Sequence, residues 1–143
     1  MNYKFPSPSN LKFSEIKIGS KYSFKKSFSD DDILAFATLT GDFNPLHINP
    51  AHGQRIFERN IVHGMLLGSL FSTLVGMYCP GKNCLYLSQD IEFIKPIYPN
   101  QRVTVKGTVM NKVEALKILT IKTEILVNKI IAIKGYAKVK VLE

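Results

Sequence analysis

The spacing of apolar residues changes period along the chain, and each change marks a new element. "KYSFKKSFS" alternates aromatic with basic or hydroxyl residues, the period-two pattern of a strand ending near Phe28. Ser29, followed by Asp30, Asp31 and Asp32, then opens a helix. The serine hydroxyl can cap, Asp32 holds the reciprocal capping-box position, and the acids suit the positive helix end. The helix runs through "ILAFATLT", with Ile33, Phe36 and Ala37 on one face, and Gly41 ends it. Residues 42–60 read mostly as loop, with one helical turn after Pro50. From Gly64 to Tyr78 the chain is apolar nearly all round, which predicts a long helix wrapped on several sides.

After "CPGKN" the period returns to two. "LYLSQDIEFIKPIY" holds Tyr86, Ser88, Asp90 and Glu92 on one parity, and "RVTVKGTVMNKV", "LTIKTEILV" and "IIAIKGYAKVKV" alternate throughout. Asn100-Gln101 and Asn128-Lys129 suit tight connections between them. The order is strand, helix, loop, buried helix, then about four strands. It predicts an α+β fold, one curved antiparallel sheet wrapped around the apolar helix. Residues 1–10, with Pro6 and Pro8, read as a flexible lead-in, and residues 11–143 as one domain.

Composition narrows this only slightly. At 143 residues, 45% of them hydrophobic and 21% charged, the chain can bury a substantial core. The net charge of +8 comes largely from single lysines among apolar residues, among them Lys106, Lys112, Lys122, Lys134, Lys138 and Lys140. That is how solvated strand faces look. A diffuse positive field also attracts nucleic acid, phosphorylated cofactors or acidic carrier proteins, without choosing among them. Cys79 and Cys84 form a lone C-x4-C pair, weak for zinc, and are expected to be reduced thiols. The N-terminus lacks the continuous apolar core of a secretory signal. The uncharged run from Asn60 to Gly81 is interrupted by His63, glycines and hydroxyls, as in a buried helix, so no membrane segment is expected. The expected location is the cytoplasm, with mitochondria left open.

The candidate chemistry lies in "TGDFNPLHINP", where Asp42 and His47 stand five residues apart between prolines. Asp, Asn and Asn-Pro are also ordinary turn residues, so these residues alone leave a surface turn and an acid–base site both open. Three features favour a site. Pro45 and Pro50 make the loop rigid. His63-Gly64 begins an uncharged helix whose free N–H groups suit a carbonyl gaining negative charge. Finally, the chain shows no phosphate-cradling glycine loop, metal-ligand cluster or nucleophilic serine elbow.

"TGDFNPLHINP", "FERNIVHGMLLGSLFSTLVG" and "PGKNCLYLSQDIEFIKPIY", in this order, resemble the MaoC-like, R-specific enoyl-CoA hydratases of the hot dog superfamily, over residues 19–142. The resemblance implies a hot dog fold and a homodimer, with further pairing open, whose sheets join edge to edge. It implies that Asp42 and His47 share a water that adds to C3 of a trans-2-enoyl thioester. A proton then reaches C2 from the same face. It further implies that the Gly64 N–H polarises the thioester carbonyl, that Ser72 lies near the pair, and that Asn44 orients the loop. His63 is read as orienting the turn, and His52 as a surface residue. No metal or cofactor is expected beyond coenzyme A or acyl carrier protein as substrate carrier, and no nucleic-acid partner. A 3-hydroxyacyl-carrier-protein dehydratase using the same site is the nearest alternative. A non-catalytic hot dog protein and a thioesterase fit less well. "AHGQRIFERN" is about one residue shorter than in some members, which touches chain-length preference.

Overall fold

The computed structural model describes residues 5–143. The first four residues of the expected lead-in lie outside the described residues. Ser9 is tied down: its N–H donates to the Met77 carbonyl at 2.9 Å and its carbonyl accepts from Lys82 N–H at 2.7 Å.

Strand β1 (Lys21–Lys26) leads into helix α1 (Asp30–Thr40). The capping box forms as the sequence predicts. Ser29 Oγ accepts from Asp32 N–H at 3.2 Å, and the Asp32 carboxylate accepts from Ser29 N–H at 2.8 Å. Gly41 ends the helix in the left-handed region, φ 82°. Two short helices follow, α2 (Pro45–Ile48) and α3 (Pro50–Ile56), where a single turn after Pro50 was expected. Each Asn-Pro pair starts one of them. The Asn44 side chain accepts from Leu46 N–H at 3.0 Å and that of Asn49 from His52 N–H at 3.1 Å, with proline at the first helical position. His52 sits half-buried on α3.

The apolar run forms one helical path in three segments: α4 (Gly64–Gly68), α5 (Leu70–Thr73) and a π-helical turn, Leu74–Tyr78. Ser69 between α4 and α5 keeps helical dihedrals, and its hydroxyl donates to the Leu66 carbonyl at 2.6 Å. The path is not wrapped all round. Met65, Ser69 and Ser72, spaced i, i+4, i+7, form one exposed stripe. The other faces bury Leu66, Leu67, Leu70, Phe71, Leu74 and Val75 against the sheet.

That sheet has six antiparallel strands in the order β1-β4-β5-β6-β2, with β2 (Cys84–Gln89), β4 (Val103–Val113), β5 (Ile118–Val127) and β6 (Ile130–Val141). The two-residue β3 (Glu92–Phe93) also pairs with β6. Asn128 and Lys129 take positive φ, 48° and 67°, as the two-residue hairpin between β5 and β6 requires. Val103, Val105 and Val109 point inward, and at Gly107 the helix comes close enough that a Cβ would meet Leu74 at 2.8 Å. The expected single parity of Tyr86, Ser88, Asp90 and Glu92 does not hold. A register shift between Tyr86 and Ser88 turns Tyr86 toward the core, where it packs against the Leu119–Val139 cluster.

Most lysines face outward as expected. The register sets Glu124 between Lys106 and Lys134, and Lys122 Nζ lies 2.9 Å from the Glu124 carboxylate. Lys112 departs from the pattern. Its ammonium donates to the carbonyls of Phe13 (2.8 Å) and Ile16 (2.7 Å), and it lies over the Phe13 ring. It thereby fastens the N-terminal segment, whose Phe13 and Ile16 are buried. Cys79 and Cys84 are free thiols, each pushed up to about 11 by burial. Among the described residues, no helix is long and apolar enough to cross a membrane.

Because Lys112→Met keeps the stem but strands two carbonyls, it should cost about 1–3 kcal/mol of stability. Chemical denaturation would read this directly; a loss within error would show that water replaces the ammonium.

Candidate active site

The turn after α1 is a chain of local hydrogen bonds. Asp42 N–H donates to Thr40 Oγ1 at 3.3 Å, and Asp42 Oδ1 accepts from Asn44 N–H at 3.2 Å. One carboxylate oxygen is thus committed to the turn, and Oδ2 faces His63 at 3.9 Å. Asn44 makes two bonds in this turn, its N–H to Asp42 and its side-chain cap on α2.

Helix α2 carries His47. Its Nδ1 lies 2.8 Å from the Ile61 carbonyl. A carbonyl can only accept, so Nδ1 bears the proton and Nε2 of the neutral ring is a bare lone pair. Burial is the leading cause that holds the His47 pKa below its ordinary value, and the neighbouring His63 adds to it. The Ile61 carbonyl and Asp42 oppose the shift. A half-buried, neutral base with a fixed tautomer results.

Residues 60–63 strap the loop from the other side. The Asn60 side-chain amide lies 2.9 Å from the carbonyls of Leu46 and Asn49, and 3.3 Å from that of Pro45. With two protons to give, it satisfies the two nearer ones. Ile61 N–H donates to the Leu46 carbonyl, Val62 N–H to the Ile97 carbonyl, and His63 Nε2–H to the Asp42 carbonyl at 3.0 Å. The His63 ring is 1% exposed, stacks on His47 with centroids 3.9 Å apart, and touches Phe36 on its other side. Its Nδ1 is buried without a partner. Gly53 of α3 packs directly on Asn60: a Cβ there would fall 2.6 Å from the side-chain nitrogen and 2.7 Å from the backbone nitrogen.

The strap delivers the chain to Gly64, the first residue of α4, whose N–H has no acceptor within its own helix. The Phe93 ring lies across it, with a Cβ at Gly64 falling 2.8 Å from the ring. His47 and Gly64 share a cleft of about 310 Å³, otherwise walled mainly by apolar side chains such as Leu67, Phe93 and Ile97. Asp42, His47 and His63 each bring one donor atom within 4.8 Å of the others. Ser72 is not bonded to them. It is exposed on α5, eight residues beyond Gly64, or about 12 Å along a helix.

Tetrahedral zinc, with bonds near 2.0–2.1 Å, draws its ligand atoms to about 3.4 Å from one another. The 3.9 Å between His63 Nε2 and Asp42 Oδ2 exceeds this, and that nitrogen carries a proton committed to a carbonyl. As arranged, the donors do not fit the ion. Asn60, Ile61 and Phe93 are functional neighbours that the sequence reading missed. A backbone carbonyl leaves no signal in sequence, and Asn60 looked like any polar residue before an apolar run.

A six-stranded antiparallel sheet around a central helical path, with an acid and an imidazole at the helix start, defines a hot dog protein of a hydratase-like type. The chain matches the MaoC like domain over residues 13–130 and belongs to that family. It is 42% identical over 127 residues to an (R)-specific enoyl-CoA hydratase of Aeromonas caviae, covering 87% of this chain and 95% of that one. A solved (R)-hydratase from A. caviae involved in PHA biosynthesis superposes with a TM-score of 0.86 at 41% identity, covering 89% of this chain and 98% of that one. A mitochondrial 3-hydroxyacyl-[acyl-carrier-protein] dehydratase of Arabidopsis thaliana is 37% identical over 84 residues, 58% of this chain and 49% of that one.

Asn60→Asp replaces the donor with an acceptor that faces carbonyls, and should lower stability by about 1–3 kcal/mol. It should also speed amide exchange at Ile61. Unchanged exchange would show that the strap does not depend on this side chain. An NMR titration of His47 should give a pKa below 6.5, the ordinary value; a value above it would mean that Asp42 outweighs burial.

Proposed function

We propose that this protein is an (R)-specific enoyl-CoA hydratase, a hydro-lyase that reversibly adds water to trans-2-enoyl-CoA to give (R)-3-hydroxyacyl-CoA. The observation that carries this is the spacing of Asp42 and His47, whose donor atoms lie within 4.8 Å. A water hydrogen-bonded to both at about 2.8 Å, with a tetrahedral angle, spans about 4.6 Å. The identity to the A. caviae hydratase supports the same reading.

The chemistry follows from the tautomer. His47 Nε2 and the Asp42 carboxylate are both acceptors, so together they take up both hydrogens of the water. Its lone pair then points away from them, toward C3 of the substrate. As the O–C3 bond forms, one proton passes to His47 Nε2 and electron density moves to the thioester carbonyl. The Gly64 N–H receives that developing charge. The imidazolium then returns the same proton to C2, on the face the hydroxyl entered. The water is divided between C3 and C2 by syn addition, and dehydration is the same path reversed. His63 holds the Asp42 backbone, and Ser72 serves the helix surface. No metal or cofactor has a step in this scheme.

The same site acting on a carrier-protein thioester is the second reading, favoured by the identity to the A. thaliana dehydratase. We read the assembly as a homodimer joined through the outer edge of β2, which has no partner strand among the described residues and where Leu85 and Leu87 are nearly half exposed.

Loss of enoyl-CoA absorbance on hydration provides the assay. Asp42→Asn and His47→Gln should each lower kcat by about 10³-fold while the protein stays folded. Near-full turnover in either would remove the pair from the mechanism. Because His47 must be neutral to accept a proton, kcat/KM should fall as pH drops through an apparent pKa below 6.5. An acidic limb above that value would assign the base elsewhere. Leu87→Lys should shift sedimentation toward the monomer; a full dimer would place the interface on another edge.

A further inference from the structure

The cleft that holds His47 and Gly64 does not end in a blind apolar wall. Lys95 stands in its lining and also lines a second cleft, of about 160 Å³, whose walls include Tyr98, Gln101 and Asn128. The two clefts share Lys95 and Pro96, so they adjoin at these residues. Lys95 is the only lysine or arginine lining either cleft among the described residues, and it makes no ion pair there. Its backbone is fixed, with Lys95 N–H donating to the Ala132 carbonyl at 3.1 Å and proline following. A second cation borders the outer cleft, the Arg59 guanidinium, held 5.0 Å over the Tyr98 ring.

An acyl tail carries no charge and would gain nothing from this exposed ammonium. The arm that presents the thioester is different, being a mostly neutral chain of amides ending in a phosphate. Its neutral length suits the apolar cleft, and its phosphate suits an unpaired cation on a fixed backbone. We propose that the path from Gly64 to Lys95 seats the phosphopantetheine arm of the substrate, with Lys95 receiving its 4′-phosphate. This rests on the thioester chemistry proposed above. Coenzyme A and carrier proteins share this phosphate, so Lys95 selects for the arm and not between the two carriers.

Three thioesters of one trans-2-enoyl acid separate the sources: coenzyme A, 4′-phosphopantetheine, and pantetheine without phosphate. The readout is the preference, in kcat/KM, for phosphopantetheine over pantetheine within each protein. The wild type should show about three- to tenfold preference, the size of one exposed charge contact, falling as salt rises. In Lys95→Ala that preference should drop close to one and lose its salt dependence, and Lys95→Arg should restore it. Preference surviving in Lys95→Ala would overturn the assignment. A loss seen with coenzyme A but not with phosphopantetheine would overturn it too, moving Lys95 to the nucleotide. A wild type that turns over none of the three would instead sink the proposed hydratase function.

Discussion

The hydrogen bond from His47 Nδ1 to the Ile61 carbonyl is the constraint on which the site depends. It sets the tautomer, and the tautomer decides that Nε2 is an acceptor. It also joins two segments fourteen residues apart in the chain. On one side lies the acid, held by the turn after α1. On the other lies the strap, which continues without a break into Gly64. A displacement of Ile61 would therefore move His47 and the Gly64 amide together. The bonds from Ile61 N–H and Asn60 to the carbonyls of α2 resist such a displacement.

The scaffold serves this arrangement by offering rigid elements at every contact. Val62 hydrogen-bonds to Ile97, which is itself buried in the core beside β6. The central helical path is pressed onto the sheet, closely enough at Gly107 that a Cβ would displace the Leu74 side chain. Burial then does electrostatic work. The same partial desolvation that packs His47 beside His63 disfavours the imidazolium. The cleft beside the site is walled mainly by apolar side chains, with Lys95 in its lining.

Much of this was legible in the sequence, for reasons that differ by element. Ser29-Asp32 and Gly41 announced α1 because caps are local chemistry. Asn128-Lys129 announced a hairpin because a two-residue turn needs positive φ. The Asn-Pro pairs were ambiguous, since the same residues start turns and short helices, and only the chain's return at Asn60 settles α2 as a helix. The exposed stripe of Met65, Ser69 and Ser72 was hidden by the apolar character of its neighbours. Lys112 looked like its fellow lysines, because the carbonyls that hold it belong to a segment nearly a hundred residues away. Asp42 and His47 were visible as residue types, whereas their closeness, within 4.8 Å, is a property of the fold.

Gly53 carries a last consequence. Two of the three atoms that a Cβ would strike there are backbone atoms of Asn60, at 2.7 and 2.9 Å, and backbone cannot swing aside as a side chain does. The position is therefore closed to every other amino acid while the strap keeps its course. An evolving lineage cannot explore this part of α3 one substitution at a time. It must either hold the glycine or rebuild residues 53 and 60 together, through intermediates in which neither arrangement is sound.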